Sequence, residues 1–171
     1  TATCTQEVVV TDDENPTIVC PADIAVSADA GSCFATVALG SPVTADNCGV
    51  ASVVNDAPAQ FPIGSTIVTW TVTDNNGNTA TCTQEVVVTD DEDPTITCPS
   101  DIAATTDAGS CFATVALGTP VTADNCGVAS VSNDAPATFA VGSTTVTWIV
   151  TDNYGNTATC TQEVIVTDDE D

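Results

Sequence analysis

The sequence predicts an all-β chain built from tandem β-sandwiches, and three observations carry that expectation. Short segments alternate apolar and polar side chains with a period of two, most clearly Val68, Trp70 and Val72 against Thr69, Thr71 and Thr73. Clusters of Asp, Asn, Gly and Pro punctuate the chain at roughly ten-residue intervals, the turn spacing of an all-β sandwich. No segment has the 3.6-residue periodicity of a helix.

The chain also repeats itself. Cys4, Cys82 and Cys160 stand 78 residues apart, as do Cys20 and Cys98, Cys33 and Cys111, and Cys48 and Cys126. Aligning residues 12–89 with 90–167 leaves 63 of 78 positions identical. The chain therefore reads as two full repeats, 12–89 and 90–167. Residues 1–11 read as the last strand of a preceding copy and 168–171 as the start of a following one, so that the whole looks like a piece of a longer array. The period is too long for one turn of a solenoid and suits a small domain.

Within the first repeat, residues 17–28 form a strand candidate broken near Pro21, and the turn Asp29-Ala30-Gly31-Ser32 follows. Residues 33–39 are expected as the second strand, with Ala35, Val37 and Leu39 on one face, and residues 40–47 as a loop. A third strand is expected near residues 50–54, with Ala51 and Val53 inward and Val54 outward. Phe61-Pro62-Ile63-Gly64 is too interrupted for more than an edge strand. Residues 66–73 and 79–89 then make a hairpin around Asp74-Asn75-Asn76-Gly77-Asn78, a turn of the Asn-Gly kind. Trp70 and Trp148 are expected at the centres of two cores.

Composition excludes several functions. The 171 residues include 24 Asp and Glu and no Lys, Arg or His, for a net charge of −24. Without cations the chain has nothing with which to grip nucleic-acid phosphates or an anionic membrane. Without His or Lys it lacks the usual general bases and activated nucleophiles, and it reads as a non-enzyme. A hydrophobic content of 43% supports a folded core rather than disorder. Nine cysteines, with no Cys-x-x-Cys pair, read as disulfides of an extracellular protein.

Several motifs resemble the hyalin repeat, or HYR domain. They are Cys20-Pro21 after an acidic-Pro joint, Thr44-Ala45-Asp46-Asn47, Phe61-Pro62-Ile63-Gly64-Ser65-Thr66, and Thr73-Asp74-Asn75-Asn76-Gly77-Asn78-Thr79-Ala80-Thr81-Cys82. The second copy repeats them, departing at Phe139-Ala140-Val141-Gly142 and at Tyr154. The resemblance implies immunoglobulin-like sandwiches stapled by disulfides, with an adhesive or structural role outside the cell. Four-cysteine copies in tandem are similar to those of giant surface adhesins of gliding Bacteroidetes bacteria. It further implies that Cys20 pairs with Cys82 and Cys98 with Cys160. On that framework Cys33 is expected with Cys48 and Cys111 with Cys126, leaving Cys4 unpaired. A loop of about 15 residues closed in this way is worth roughly 3 kcal/mol.

The acidic run Asp90-Asp91-Glu92-Asp93-Pro94, like Asp12-Asp13-Glu14-Asn15-Pro16, marks the joint before each repeat. In a chain without cationic side chains, such a run has only water, backbone N–H groups or a bound ion to relieve it. In a sandwich of the implied kind the joint, the Asp46-Asn47 loop and the Asp74 hairpin share one pole. Carboxylate and amide oxygens are the hard ligands of Ca²⁺. The expected ligands are Asp12, Asp13, Glu14, Asp46, Asn47, Asp74 and Asn76, and in the second repeat Asp90, Asp91, Glu92, Asp124, Asn125, Asp152 and Asn153. The bland alternative is that these are solvated turn residues. The expected role is a segment of an adhesive surface filament or stalk, in contact with neighbouring repeats and with other copies in a fibre. A glycan-binding module is the rival reading, with Tyr154 as the one aromatic side chain expected to be exposed.

Overall fold

The computed structural model describes residues 1–169, and the expected start of a further repeat therefore falls partly, at Glu170 and Asp171, outside the described residues. Sixteen strands and no helix occur among the described residues. The first repeat holds β1 (Thr17–Val19), β2 (Ile24–Ser27), β3 (Phe34–Ala35), β4 (Val43–Ala45), β5 (Val50–Asn55), β6 (Phe61–Pro62), β7 (Gly64–Asp74) and β8 (Thr79–Thr89). The second repeats the set as β9 (Thr95–Thr97), β10 (Ile102–Thr105), β11 (Phe112–Ala113), β12 (Val121–Ala123), β13 (Val128–Asn133), β14 (Phe139–Ala140), β15 (Gly142–Asp152) and β16 (Thr157–Thr167).

Each unit is a two-layer sandwich. One layer is the four-stranded sheet β2-β8-β7-β5, in which β2 runs parallel to β8 and the other neighbours are antiparallel. The other layer consists of the short antiparallel pairs β1-β4 and β3-β6. The strict alternation of β7 and β8 turns Val68, Trp70, Val86 and Val88 to one side, where they meet Ala35, Phe61 and Ile18 of the short strands. Burying each of Phe61, Val68, Val86 and Val88 contributes about 1.5–3 kcal/mol. The second unit packs Val146, Trp148, Val164 and Val166 on Ala113 and Phe139 in the same way.

Both tryptophans are tied by a buried glutamine. Trp70 Nε1 donates to Gln84 Oε1 at 3.2 Å, and Gln84 Nε2 donates to the carbonyls of Ala22 at 2.6 Å and Leu39 at 3.2 Å. Gln162 does the same for Trp148, Ser100 and Leu117.

Several local expectations are corrected. The strand expected over 33–39 shrinks to Phe34–Ala35, with Val37 and Leu39 packed against the core outside any ladder, and the expected loop over 40–47 contains β4. Ala51 and Val53 are exposed, not inward. The register slips between Val50 and Ser52, which breaks the alternation, and β5 is the sheet edge, with only β7 beside it. Residues 1–11 form no strand, and Val8, Val9 and Val10 are exposed. Their sequence is that of β8, and the strand expected of them belongs to a preceding copy rather than to either of these two sandwiches.

Cys20 is bonded to Cys82 and Cys98 to Cys160. Cys20 follows β1 and Cys82 lies in β8, so this bond ties one layer of the sandwich to the other. The expected pairs Cys33–Cys48 and Cys111–Cys126 do not form. Cys33 is bonded to Cys126, while Cys4, Cys48 and Cys111 are exposed free thiols. The reason lies in the turn that carries Cys33. Asp29–Cys33 belongs with the chain from Asp90 onward in the second compact unit, whereas Cys48 belongs to the first. The Cα atoms of Cys33 and Cys126 are 4.9 Å apart, inside the usual span of a disulfide.

Candidate cation site

Each unit gathers three carboxylates at one pole: Asp12, Asp46 and Asp74 in the first, Asp90, Asp124 and Asp152 in the second. One carboxylate oxygen from each lies within 4.8 Å of the others. The three come from different parts of the chain. Asp90 opens the acidic joint, Asp124 follows β12, and Asp152 ends β15 at the hairpin.

The hairpin aspartates are the most constrained. Asp152 is 2% exposed, and its Oδ1 accepts the backbone N–H groups of Tyr154 at 2.8 Å, Gly155 at 2.5 Å and Asn156 at 2.8 Å. Its Oδ2 accepts Asn156 Nδ2 at 2.7 Å, and the same amide donates to the Asp90 carbonyl at 3.1 Å. Asp74 repeats this with Asn76, Gly77 and Asn78. Burial, the largest single influence on Asp74 and Asp152, works to raise their pKa. The hydrogen bonds from the asparagine side chains and turn N–H groups together outweigh it and hold both below the usual carboxylate range. Asp12 is also held low, chiefly by Asn76 Nδ2 at 2.8 Å. The Cys48 thiol is pushed up, first by its hydrogen bond with Asp12 and then by burial.

The loop carrying Asp124 is braced from the hairpin. Asn153 Nδ2 donates to the Cys126 carbonyl at 2.9 Å, and Asn153 N to the Gly127 carbonyl at 3.1 Å. Gly127 has φ of +98°, and a Cβ there would meet Asn153 Nδ2 at 2.9 Å, so this position requires glycine. Cys126 N donates to Asp124 Oδ2 at 2.8 Å. Asn125 Nδ2 donates to Asp90 Oδ1 at 3.1 Å and to the Ser32 carbonyl at 3.0 Å.

Three oxygens remain. Asp90 Oδ2, Asp124 Oδ1 and Asn125 Oδ1 are buried without a hydrogen-bond partner, in a residue set whose Asp90 is 7% exposed. In the first unit Asp46 Oδ1 is left in the same state. Burying a carboxylate oxygen without a partner is costly, and no Lys, Arg or His exists in the chain to neutralise one.

Of the sequence-predicted ligands, the structure thus brings together the aspartates at 12, 46 and 74 and at 90, 124 and 152. Asn125 joins them through its free oxygen. Asn76 and Asn153 act as donors, to Asp12 and to the Cys126 carbonyl. Glu14 Oε2 accepts Asn47 Nδ2 at 3.2 Å, and Glu92 Oε2 accepts Gly31 N at 2.8 Å. Asp13 and Asp91 are exposed and stand outside the triads. Sequence reasoning missed Asn78 and Asn156, the amides that fix the hairpin carboxylates; their place four residues after Asp74 and Asp152 was the available signal.

An open cavity of about 270 Å³ borders the second site, lined by Gly31, Thr95 and Ala123 with Glu92, Asp93, Asp124 and Asn125. It offers oxygens and no aromatic ring for a sugar to stack on. Tyr154 is exposed as expected, at 50%, but so is Phe112, at 49%.

Fold and site define a class of protein: tandem, disulfide-stapled β-sandwich repeats with an acidic pole on each. The family model of the HYR domain matches residues 11–88 and 89–166, and the chain belongs to that family. Hyalin of Lytechinus variegatus is 34% identical over 99% of the chain, and hyalin of Strongylocentrotus purpuratus 36% identical over 95%. The chain spans 34% and 14% of the lengths of these two relatives. A sushi, von Willebrand factor type A, EGF and pentraxin domain-containing protein of Rattus norvegicus is 39% identical over 46% of the chain and 2% of its own length. Among solved structures, Drosophila N-cadherin EC1-4 is similar with a TM-score of 0.46 and 8% identity, over 90% of this chain and 50% of that one. Family and disulfides together make this an extracellular chain.

Proposed function

We propose that the chain is a structural and adhesive segment of an extracellular filament or stalk, and that each sandwich binds Ca²⁺ at its acidic pole. The observation that carries the cation is the set of buried, partnerless oxygens of Asp90, Asp124 and Asn125 in a protein without cationic side chains. Ca²⁺ takes six to eight oxygens at about 2.3–2.6 Å, and water would complete the sphere. An ion there would fasten the acidic joint residue Asp90 to the hairpin and to the Asp124 loop of its own sandwich. Asp12 stands in the same relation to Asp46 and Asp74.

Supporting the structural role are the tandem copies, the membership in the HYR family and the staple across each sandwich. The usual general bases and activated nucleophiles, those built on His or Lys, are absent, which favours a non-catalytic role. We further propose repeat boundaries at Asp12 and Asp90, with neighbouring repeats and other copies as partners. The finer likeness to adhesins of gliding Bacteroidetes rests on the four-cysteine pattern. Metal analysis after dialysis, together with melting curves with and without chelator, tests the site. We expect close to two Ca²⁺ per chain and a lower Tm in chelator, with Asp152→Asn and Asp74→Asn each removing one ion. Retention of no ion and an unchanged Tm would leave the acidic pole as solvated turn residues.

A further inference from the structure

One amide in the second unit touches both the candidate cation site and a disulfide. Asn125 Oδ1 is one of the buried oxygens without a hydrogen-bond partner. Its Nδ2 donates to Asp90 Oδ1 at 3.1 Å and to the Ser32 carbonyl at 3.0 Å, and reaches Cys126 Sγ at 3.6 Å. Ser32 belongs to the turn Asp29–Cys33, which is part of the second compact unit. That turn is held by the Ser32 carbonyl on Asn125, by Gly31 N on Glu92 Oε2 at 2.8 Å, and by the Cys33–Cys126 disulfide. Each of these attachments leads to a carboxylate of the triad. Asn125 Nδ2 and Glu92 N both donate to Asp90 Oδ1, the second at 3.3 Å, and Cys126 N donates to Asp124 Oδ2 at 2.8 Å.

We infer that the Cys33–Cys126 disulfide governs the cation affinity of the Asp90–Asp124–Asp152 site: reducing this bond weakens Ca²⁺ binding, and bound Ca²⁺ protects the bond from reduction. This linkage rests on the Ca²⁺ reading of that pole and adds what controls its affinity. With the turn stapled, Asn125 Nδ2 is committed to Ser32 and Asp90, and Oδ1 is fixed as a buried acceptor. Without the covalent bond, hydrogen bonds of modest net strength are all that hold the turn. Its release would let Asn125 turn its oxygen to water and would open Asp90 to solvent. Groups that orient metal ligands in this way typically change affinity by about 10–100-fold. A coupling between two equilibria is reciprocal, so the disulfide gains from Ca²⁺ the same factor that Ca²⁺ gains from the disulfide.

The redox step is thiol–disulfide exchange with a dithiol such as dithiothreitol. A thiolate of the dithiol attacks one sulfur of the Cys33–Cys126 bond and expels the other as a thiolate. The second thiol of the reagent then closes its own ring and expels the remaining protein sulfur. Two protein thiols are gained, and one dithiol is oxidised to a cyclic disulfide.

The test uses full chains carrying Cys4→Ser, Cys48→Ser and Cys111→Ser, which removes the three free thiols from exchange. Asp74→Asn is added so that calorimetric titration with Ca²⁺ reads the second site. Replacing Cys33 and Cys126 by Ser should weaken that site by about tenfold or more. The same pair of substitutions in a chain carrying Asp152→Asn in place of Asp74→Asn should leave the first site unchanged. Once Asn125→Ala is present, loss of the disulfide should cost little further affinity, since the amide that carries the coupling is gone. A redox titration against the dithiol, with the Cys33–Cys126 peptide followed by mass spectrometry, needs no substitution of either cysteine. Saturating Ca²⁺ should make its midpoint more negative by about 30 mV for each tenfold of coupling. Absence of any bound ion in the disulfide-bonded chain would overturn the Ca²⁺ reading and this linkage with it. An ion bound equally well with and without the bond, or a midpoint indifferent to Ca²⁺, would overturn the linkage and leave the cation site standing.

Discussion

Gln84 and Gln162 are fully buried polar side chains, each serving three partners. Gln84→Ala would orphan the Trp70 N–H and two carbonyls, and each buried orphan costs about 1–3 kcal/mol. Urea unfolding should therefore report a loss of at least about 3 kcal/mol. Asp74 and Asp152 make a second prediction at this scale. Both are held below the usual carboxylate range in the folded chain. A depressed folded pKa contributes stability above the unfolded value, near 3.9, and that contribution is lost as pH falls through the folded value. In chelator, Tm should be level down to about pH 4 and fall below it, and Asp74→Asn should flatten that acid limb. The glutamines were legible in part. Gln84, Val86 and Val88 share one parity along β8, so the face was readable, but nothing local says that a glutamine on it will find carbonyls from two distant loops. The aspartates of the triads were legible because composition denied them any cationic partner.

At the scale of elements, the long hairpin β7-β8 was the most readable part, since eleven-residue strands with strict alternation leave one register. The two- and three-residue strands β3, β4 and β6 were not readable, because segments so short are defined by their partner rather than by a pattern of their own. The Cys33 pairing was hidden for a different reason. Cys48 and Cys126 are one period apart, so the sequence alone offers Cys33 both as equivalent partners. The interlayer staple between Cys20 and Cys82 spans 62 residues, a loop whose closure is worth about 4 kcal/mol in the chain-entropy model. Replacing both cysteines by Ala should lower the unfolding free energy of that sandwich by about this amount. Chemical denaturation resolved by Trp70 fluorescence, in a Trp148→Phe background, would read it.

At the scale of the whole molecule, a net charge of −24 with no compensating cation makes self-repulsion a general destabilising force. Two remedies differ in kind. Monovalent salt screens every pair, with a Debye length of about 10 Å at 0.1 M and about 3 Å at 1 M. A bound divalent ion acts only where oxygens converge, as they do at Asp90, Asp124 and Asp152. Buried groups are screened much less than exposed ones, and the partnerless oxygens here are buried. In chelator, Tm should therefore rise with NaCl and level off toward 1 M as surface repulsion is exhausted. Adding about 1 mM Ca²⁺ on that plateau should raise it again, where its contribution to ionic strength is negligible. Mg²⁺ should do less, since it demands a tight octahedron and sheds water reluctantly. Asp90→Asn, which removes a buried carboxylate and leaves the surface charge nearly intact, should cancel the Ca²⁺ increment of the second sandwich and spare the NaCl response. If Ca²⁺ on the plateau raised Tm no more than an equal ionic strength of NaCl, screening alone would account for the acidic poles.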